Sequence, residues 1–256
     1  GNIWSGGYYN LKQIDFARKN RRTYPGLSGI TDIKEKDAQH MWIGTATGLY
    51  LLNKETGKFQ NISMPIESFY INALYQIADS LLYIGTSNSG LLIYNYHRKS
   101  FEHFHKDNCP LISNNIYTIL PDGNKSVLLS TENSLTSYYP EGKIFHNWTK
   151  EQGLKSDHFN ASSGVLRKNG NFILGSTDGA IEFHKDMMIP RNYEFKMIFS
   201  DLRVFYQTVY PGDEGSPLEV DIDETQVLKL KYNQNIFSLR ISSINYDYPS
   251  LVLYSW

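Results

Sequence analysis

The chain predicts an all-β fold of repeated four-stranded antiparallel units, followed by a second β-rich segment. Three observations carry this. A short phrase recurs at long spacing, as Met41-Trp42-Ile43-Gly44-Thr45-Ala46-Thr47-Gly48-Leu49, Leu82-Tyr83-Ile84-Gly85-Thr86-Ser87-Asn88-Ser89-Gly90-Leu91, Val127-Leu128-Leu129-Ser130-Thr131-Glu132-Asn133-Ser134-Leu135 and Phe172-Ile173-Leu174-Gly175-Ser176-Thr177-Asp178-Gly179-Ala180. A fainter copy is Ile3-Trp4-Ser5-Gly6-Gly7. The segments between copies alternate β-branched and aromatic residues and lack a helical apolar period. Turn residues punctuate the predicted strand ends.

Gly6, Gly44, Gly85, Ser130 and Gly175 mark the copies, at spacings of 38, 41, 45 and 45 residues. Strand-rich repeats of this length are the signature of β-propeller blades. In each unit a first, innermost strand is expected: Ile30 to Lys34, Ala73 to Ile77 and Ile116 to Leu120. A turn follows, around Asp37, Asp79, Asp122 or Asn169-Gly170. The second strand carries the phrase. The third is expected at Leu49 to Asn53, Leu91 to Asn95 and Leu135 to Tyr139, and a tight turn such as Pro140-Glu141-Gly142 leads to an outer strand. Four to five blades are predicted over residues 1–190, the C-terminal part of a propeller.

The repetition ends near Met188 and Pro190. Residues 191–256 predict the N-terminal part of an incomplete Ig-like β-sandwich. Its strands are expected at Phe195 to Phe199, Leu202 to Phe205, Val227 to Leu230 and Phe237 to Ile241, with a polar loop at Pro211 to Pro217. Both chain ends read as interrupted inside a structural unit, which predicts a piece of something longer.

The 256 residues carry 19 tyrosines, 41% hydrophobic residues and a formal net charge of -1. Tyrosine suits half-buried strands. With no basic block, nucleic-acid binding is not expected of this segment. Arg18-Lys19-Asn20-Arg21-Arg22 reads as a solvated hairpin tip. The one cysteine, Cys109, excludes an internal disulfide and fits either a cytosolic or a periplasmic protein. No apolar run reaches membrane-spanning length.

The Trp-Ile-Gly-Thr…Gly-Leu unit resembles the two-component-regulator propeller repeat. Leu27-Ser28-Gly29-Ile30, Leu111-Ile112-Ser113-Asn114-Asn115-Ile116 and Gly153-Leu154-Lys155-Ser156-Asp157-His158-Phe159 match its blade-linking segment. Asp201-Leu202-Arg203-Val204-Phe205, Leu228-Lys229-Leu230, Asn235-Ile236-Phe237-Ser238-Leu239, Tyr246-Asp247-Tyr248-Pro249 and Tyr254-Ser255-Trp256 resemble the Tyr-rich domain that follows such propellers. Repeats and tail together resemble the extracytoplasmic sensor of hybrid two-component systems of gut Bacteroidetes. The resemblance implies a periplasmic location, an attached membrane helix, histidine kinase and response regulator beyond Trp256, and response to a glycan fragment, with homodimerisation. The chain departs from the family in holding fewer than seven blades, in the incomplete tail and in Ser130 replacing a glycine.

Residue by residue, enzymatic signals are weak. Trp42, Tyr83, Leu128 and Phe172 share one repeat position, which suits core packing better than a ring of sugar-stacking aromatics. Gly44, Gly85 and Gly175 lack the strand-loop-helix context and lysine of a phosphate loop. Asp37, Asp79 and Asp122 suggest the paired carboxylates of a glycosidase, yet each falls in a turn where a self-bonding Asp is the better account. His103 and His105 share one face of a strand, without a third ligand for zinc. No nucleophile elbow and no His-Glu-x-x-His occurs, so no catalytic residue, metal or cofactor is expected.

Antiparallel blades bring the second-to-third turns and the blade linkers to one face. That face is rich in groups suited to sugar hydroxyls. Tyr70, Asn88, Asn114, Asn115, Glu132, Asn133, Asp157, His158 and Asp178 are the candidate ligand contacts. The expected function is ligand sensing and signal transmission, with an oligosaccharide or other small ligand and the remaining blades and sandwich of the same protein as partners. A propeller lyase or glycosidase, or a non-catalytic interaction scaffold, is the alternative.

Overall fold

The computed structural model describes residues 2–15, 17, 19–66, 70–77, 80–122, 126–188 and 197–243. The chain divides into two compact units, Gly1–Pro190 and Arg191–Trp256.

The first unit is five successive antiparallel sheets, blades I to V. Blade I holds β1 (Asn2–Gly6), β2 (Leu11–Asp15) and β3 (Asn20–Tyr24). Blade II holds β4 (Ile30–Glu35), β5 (His40–Thr45), β6 (Gly48–Asn53) and β7 (Phe59–Ile62). Blade III holds β8 (Ile71–Ile77), β9 (Leu81–Thr86), β10 (Leu91–Asn95) and β11 (Ser100–Phe104). Blade IV holds β12 (Ile116–Pro121), β13 (Val127–Thr131), β14 (Leu135–Tyr139) and β15 (Ile144–Trp148). Blade V holds β16 (Phe159–Leu166), β17 (Asn171–Ser176) and β18 (Gly179–His184). The third strands of blades III and IV fall where the sequence places them. The first strand of blade III begins at Ile71, two residues before the expected Ala73.

The first strands β4, β8, β12 and β16 lie side by side in chain order, as expected of inner strands. The phrase strands are buried on both faces, because alternate residues serve different blade interfaces. In β9, Leu82 and Ile84 join a cluster with Trp42 and Leu49 of blade II, while Tyr83 joins Leu129 and Tyr138 of blade IV. The core is thus one apolar cluster per blade interface: I–II around Leu11 and Ile43, II–III, III–IV, and IV–V around Phe159 and Phe172. This explains why the phrase reads as a continuous apolar run.

Each inner strand breaks register after its first residue, between Ile30 and Asp32, Ile71 and Ala73, Ile116 and Thr118, and Phe159 and Gly164. A bulge leaves the extra residue out of the ladder and re-aims its neighbours. Thr31, Asn72 and Tyr117 occupy the bulged position.

The second unit contains β19 (Met197–Val204), β20 (Gln207–Thr208) and β21 (Phe237–Ser243), in the order β20-β19-β21. The expected strands at Leu202 to Phe205 and Phe237 to Ile241 overlap β19 and β21. The polar loop at Pro211 to Pro217 is a run of turns. Val227 to Leu230 is not a strand. Leu228 packs against the Leu202, Val204 and Leu218 cluster, and Val227 is exposed, so one anchored side chain holds an irregular segment there. The expected strand start at Phe195, the turn residue Asp79 and the Tyr246 and Tyr254 motifs lie outside the described residues.

Candidate functional site

The repeated residues build the fold. A Cβ on Gly6 would meet Ile30 Cγ2 at 2.3 Å, one on Gly44 would meet Ile71 Cγ2 at 2.8 Å, and one on Gly85 would meet Ile116 Cγ2 at 2.7 Å. The glycine therefore makes room for the isoleucine that opens the next blade. At the fourth interface the opening residue is Phe159 and the glycine is Ser130. The residue after the glycine closes the turn into the third strand. Thr45, Thr86, Thr131 and Ser176 donate their hydroxyls to the carbonyls of Gly48, Gly90, Ser134 and Gly179 at 2.9, 2.8, 2.9 and 2.8 Å. Trp42 is buried, and its indole N–H donates to Gln76 Oε1 of the next blade at 2.9 Å. Burial, then the charges of Glu102 and Tyr75, push the Tyr83 phenol up to about 12. These aromatics belong to the core.

The turn Asp37 accepts from the backbone amides of Gln39 and His40 at 2.8 and 2.7 Å, closing its own turn. The Ser126 hydroxyl donates to Asp122. The His103 and His105 rings lie 4.8 Å apart. His103 Nε2 meets the Ser89 carbonyl at 2.6 Å, so this histidine braces the turn of the phrase. Among the described residues no group of three or more His, Cys, Asp or Glu could hold a metal.

Several candidate contacts form one hydrogen-bonded band across blades III, IV and V. Asn88, held at a left-handed φ of 70°, donates its backbone N–H to Asn115 Oδ1 at 2.8 Å. Asn115 Nδ2 donates to Glu132 Oε2 at 2.9 Å. His158 Nδ1 reaches the Glu132 carbonyl at 3.2 Å. Asp157 beside it meets Lys150 Nζ at 3.1 Å. Asn114 fastens the band at two points, accepting from the Lys106 amide through Oδ1 and from the Gly90 amide through its carbonyl, both at 2.8 Å. Gly90 is at φ +74°, and a Cβ there would stand 2.2 Å from the Phe104 carbonyl, so only glycine fits. Tyr70 is exposed and joins through its carbonyl, which accepts from the Ser87 amide at 2.9 Å. Asp178 and Asn133 are exposed in their turns. The His158 carbonyl accepts from the amide of Thr177, next to Asp178, at 3.0 Å.

The bulged inner strands add a pocket that the loop residues do not reveal. A cavity of about 140 Å³ is lined by Thr31, Asp32, Asn72, Tyr117, Thr118 and Ser162, among others. Asp32 Oδ2 accepts from the Leu74 amide of the next blade at 2.7 Å, and Oδ1 accepts from Ile33 at 2.8 Å. Burial raises its carboxyl pKa, against Lys34 and these two amides. Asn72 Nδ2 bridges the Ile116 carbonyl and Ser87 Oγ at 2.9 and 3.0 Å. Burial, then the charge of Glu132, raises the Tyr117 phenol. A sequence signal existed: an inner-strand isoleucine followed by a polar or Tyr residue, at Ile30-Thr31, Ile71-Asn72 and Ile116-Tyr117.

No family model matches the chain. It is 25% identical over 95% of its length to histidine kinase P4 of Formosa agariphila, of which it spans 19%. Among solved structures, the extracellular domain of a one-component system of B. thetaiotaomicron aligns with a TM-score of 0.58 at 15% identity, covering 94% of this chain and 45% of that one. The extracellular domain of a hybrid two-component system of B. thetaiotaomicron gives 0.53 at 16% identity, covering 83% and 37%. The WD40 β-propeller domain of Doa1 gives 0.57 at 15% identity, covering 71% and 60%. The chain is thus a run of β-propeller blades with a β-rich tail, similar in sequence to part of a histidine kinase and in fold to extracellular domains of Bacteroides one- and two-component systems.

Proposed function

We propose that this chain is a ligand-sensing and signal-transmitting segment of a hybrid histidine kinase, lying in the periplasm and responding to a glycan fragment without transforming it. The band Asn88–Asn115–Glu132–His158 carries the reading. It concentrates amide, carboxylate and imidazole groups along three blades at the loop end, which suits the paired donors and acceptors of sugar hydroxyls. The sequence similarity to a histidine kinase supports the sensor assignment. The signal would pass through the Tyr-rich tail to a partner copy and to a kinase.

The test is a thermal-shift and calorimetric screen of this chain against neutral and acidic oligosaccharides. One fragment is expected to raise the midpoint, and Asn115→Ala is expected to reduce that rise. A screen without shift or heat overturns the ligand reading.

A further inference from the structure

Two hydroxyls in the inner-strand pocket have no partner among the described residues: Thr31 Oγ1 on β4 and Thr118 Oγ1 on β12. Thr118 is only 6% exposed. A buried hydroxyl without a partner is costly, and native structures avoid it unless something else satisfies it. A Cβ on Gly164 would lie 2.7 Å from both Thr118 Cγ2 and Leu174 Cδ2, so glycine in β16 leaves room for the Thr118 methyl and the Leu174 side chain. Asp32 has accepted two amide hydrogens, which leaves part of its carboxylate capacity for further donors.

The charge pattern selects the ligand class. A single carboxylate, already bonded to two amides and 3.9 Å from the Lys34 ammonium, is a poor cation site. The same carboxylate repels anions. A neutral group that both donates and accepts suits this lining, and a sugar hydroxyl is such a group. The cavity of about 140 Å³ equals the liquid volume of about five waters. That admits the hydroxylated edge of one sugar unit, free or at the end of an oligosaccharide.

We infer that this inner-strand pocket binds the hydroxyl edge of one neutral sugar unit, with Asp32 accepting and Thr118 and Thr31 completing the hydrogen bonds. The inference rests on the ligand reading above and specifies its chemistry. The sugar would enter from the linker end, where Asn72 bonds the Ser87 turn.

The test is saturation-transfer NMR and calorimetric titration of the 256-residue chain with glucose, galactose, mannose, xylose and arabinose, and with glucuronate as the charged counterpart. At least one neutral sugar is expected to bind, and glucuronate more weakly. Thr118→Val keeps the shape and removes the orphan hydroxyl. It is expected to weaken the sugar by about tenfold or more while leaving the melting temperature equal or higher, which separates lost binding from lost folding. Asp32→Asn is expected to weaken it as well. No binding of any neutral monosaccharide, or equal binding by Thr118→Val and wild type, overturns the pocket. If oligosaccharide binding is lost in Asn115→Ala but kept in Thr118→Val and Asp32→Asn, the pocket is refuted and the loop reading stands.

Discussion

Ile116 Cγ2 fills the space that a Cβ on Gly85 would take, 2.7 Å away. This contact ties the repeated phrase of blade III to the first residue of blade IV, and its counterparts recur at Gly6 with Ile30 and Gly44 with Ile71. Within a strand, Gly→Ala ordinarily helps stability. Here Gly85→Ala is expected to cost about 1–3 kcal/mol, because the β-branched neighbour is stiff and must shift. Urea denaturation should show a large part of that cost relieved when Ile116→Ala is added, giving a non-additive double-mutant cycle.

Ser130 holds the glycine position in the fourth copy, and its buried hydroxyl has no partner among the described residues. Ser130→Ala keeps the β-carbon and removes the unmet donor. Its folding free energy is expected to rise by about 1 kcal/mol, and denaturant midpoints at unchanged slope would record it.

Thr86 joins its turn through two bonds, donating to the Gly90 carbonyl at 2.8 Å and accepting from the Ser89 amide at 3.2 Å. Thr86→Val preserves shape and loses both. A loss of about 1–2 kcal/mol is expected. The same change at exposed Thr47, whose hydroxyl meets Thr45 Oγ1 at 3.2 Å, should cost less in the same denaturation assay.

Asp37 gives a pH dependence of known sign. Burial pushes its carboxyl up, but Lys36, the amides of Gln39 and His40, and the His40 ring outweigh this and hold it well below its ordinary value of 3.8. A group lowered on folding stabilises fully above its unfolded value and loses that contribution as pH falls towards its folded one. Thermal midpoints should therefore drop below about pH 4, and Asp37→Asn should be less stable at neutral pH with a flatter acid limb.

Asn115→Ala removes the acceptor of the Asn88 amide, bonded at 2.8 Å. Hydrogen exchange at Asn88 should speed up while the β9 amides keep their protection. Equal exchange in both proteins would mean that the band does not order this turn.

The blade pattern was legible because repetition and two-residue alternation survive in the chain, and because each Gly-Thr pair recurs for a geometric reason. The loop band was partly legible: antiparallel order alone brings the linkers and turns together, so Asn88, Asn115, Glu132 and His158 could be named. Their partners could not, since Asn115 reaches Glu132 across 17 residues of sequence. The pocket was missed because a bulge interrupts the period-two reading at Thr31, Asn72 and Tyr117. Val227 to Leu230 was misread because an extended apolar run forms a strand only when a partner strand pairs with it.

The central claim, that the loop end of blades III to V meets a glycan, is tested most directly by amide hydrogen exchange with and without the oligosaccharide giving the largest thermal shift. Slower exchange at Asn88, Asn115, Glu132 and His158 is expected, with no change around Asp37 and His40. Protection confined to the Asp37–His40 turn, or none anywhere on blades III to V, would contradict it.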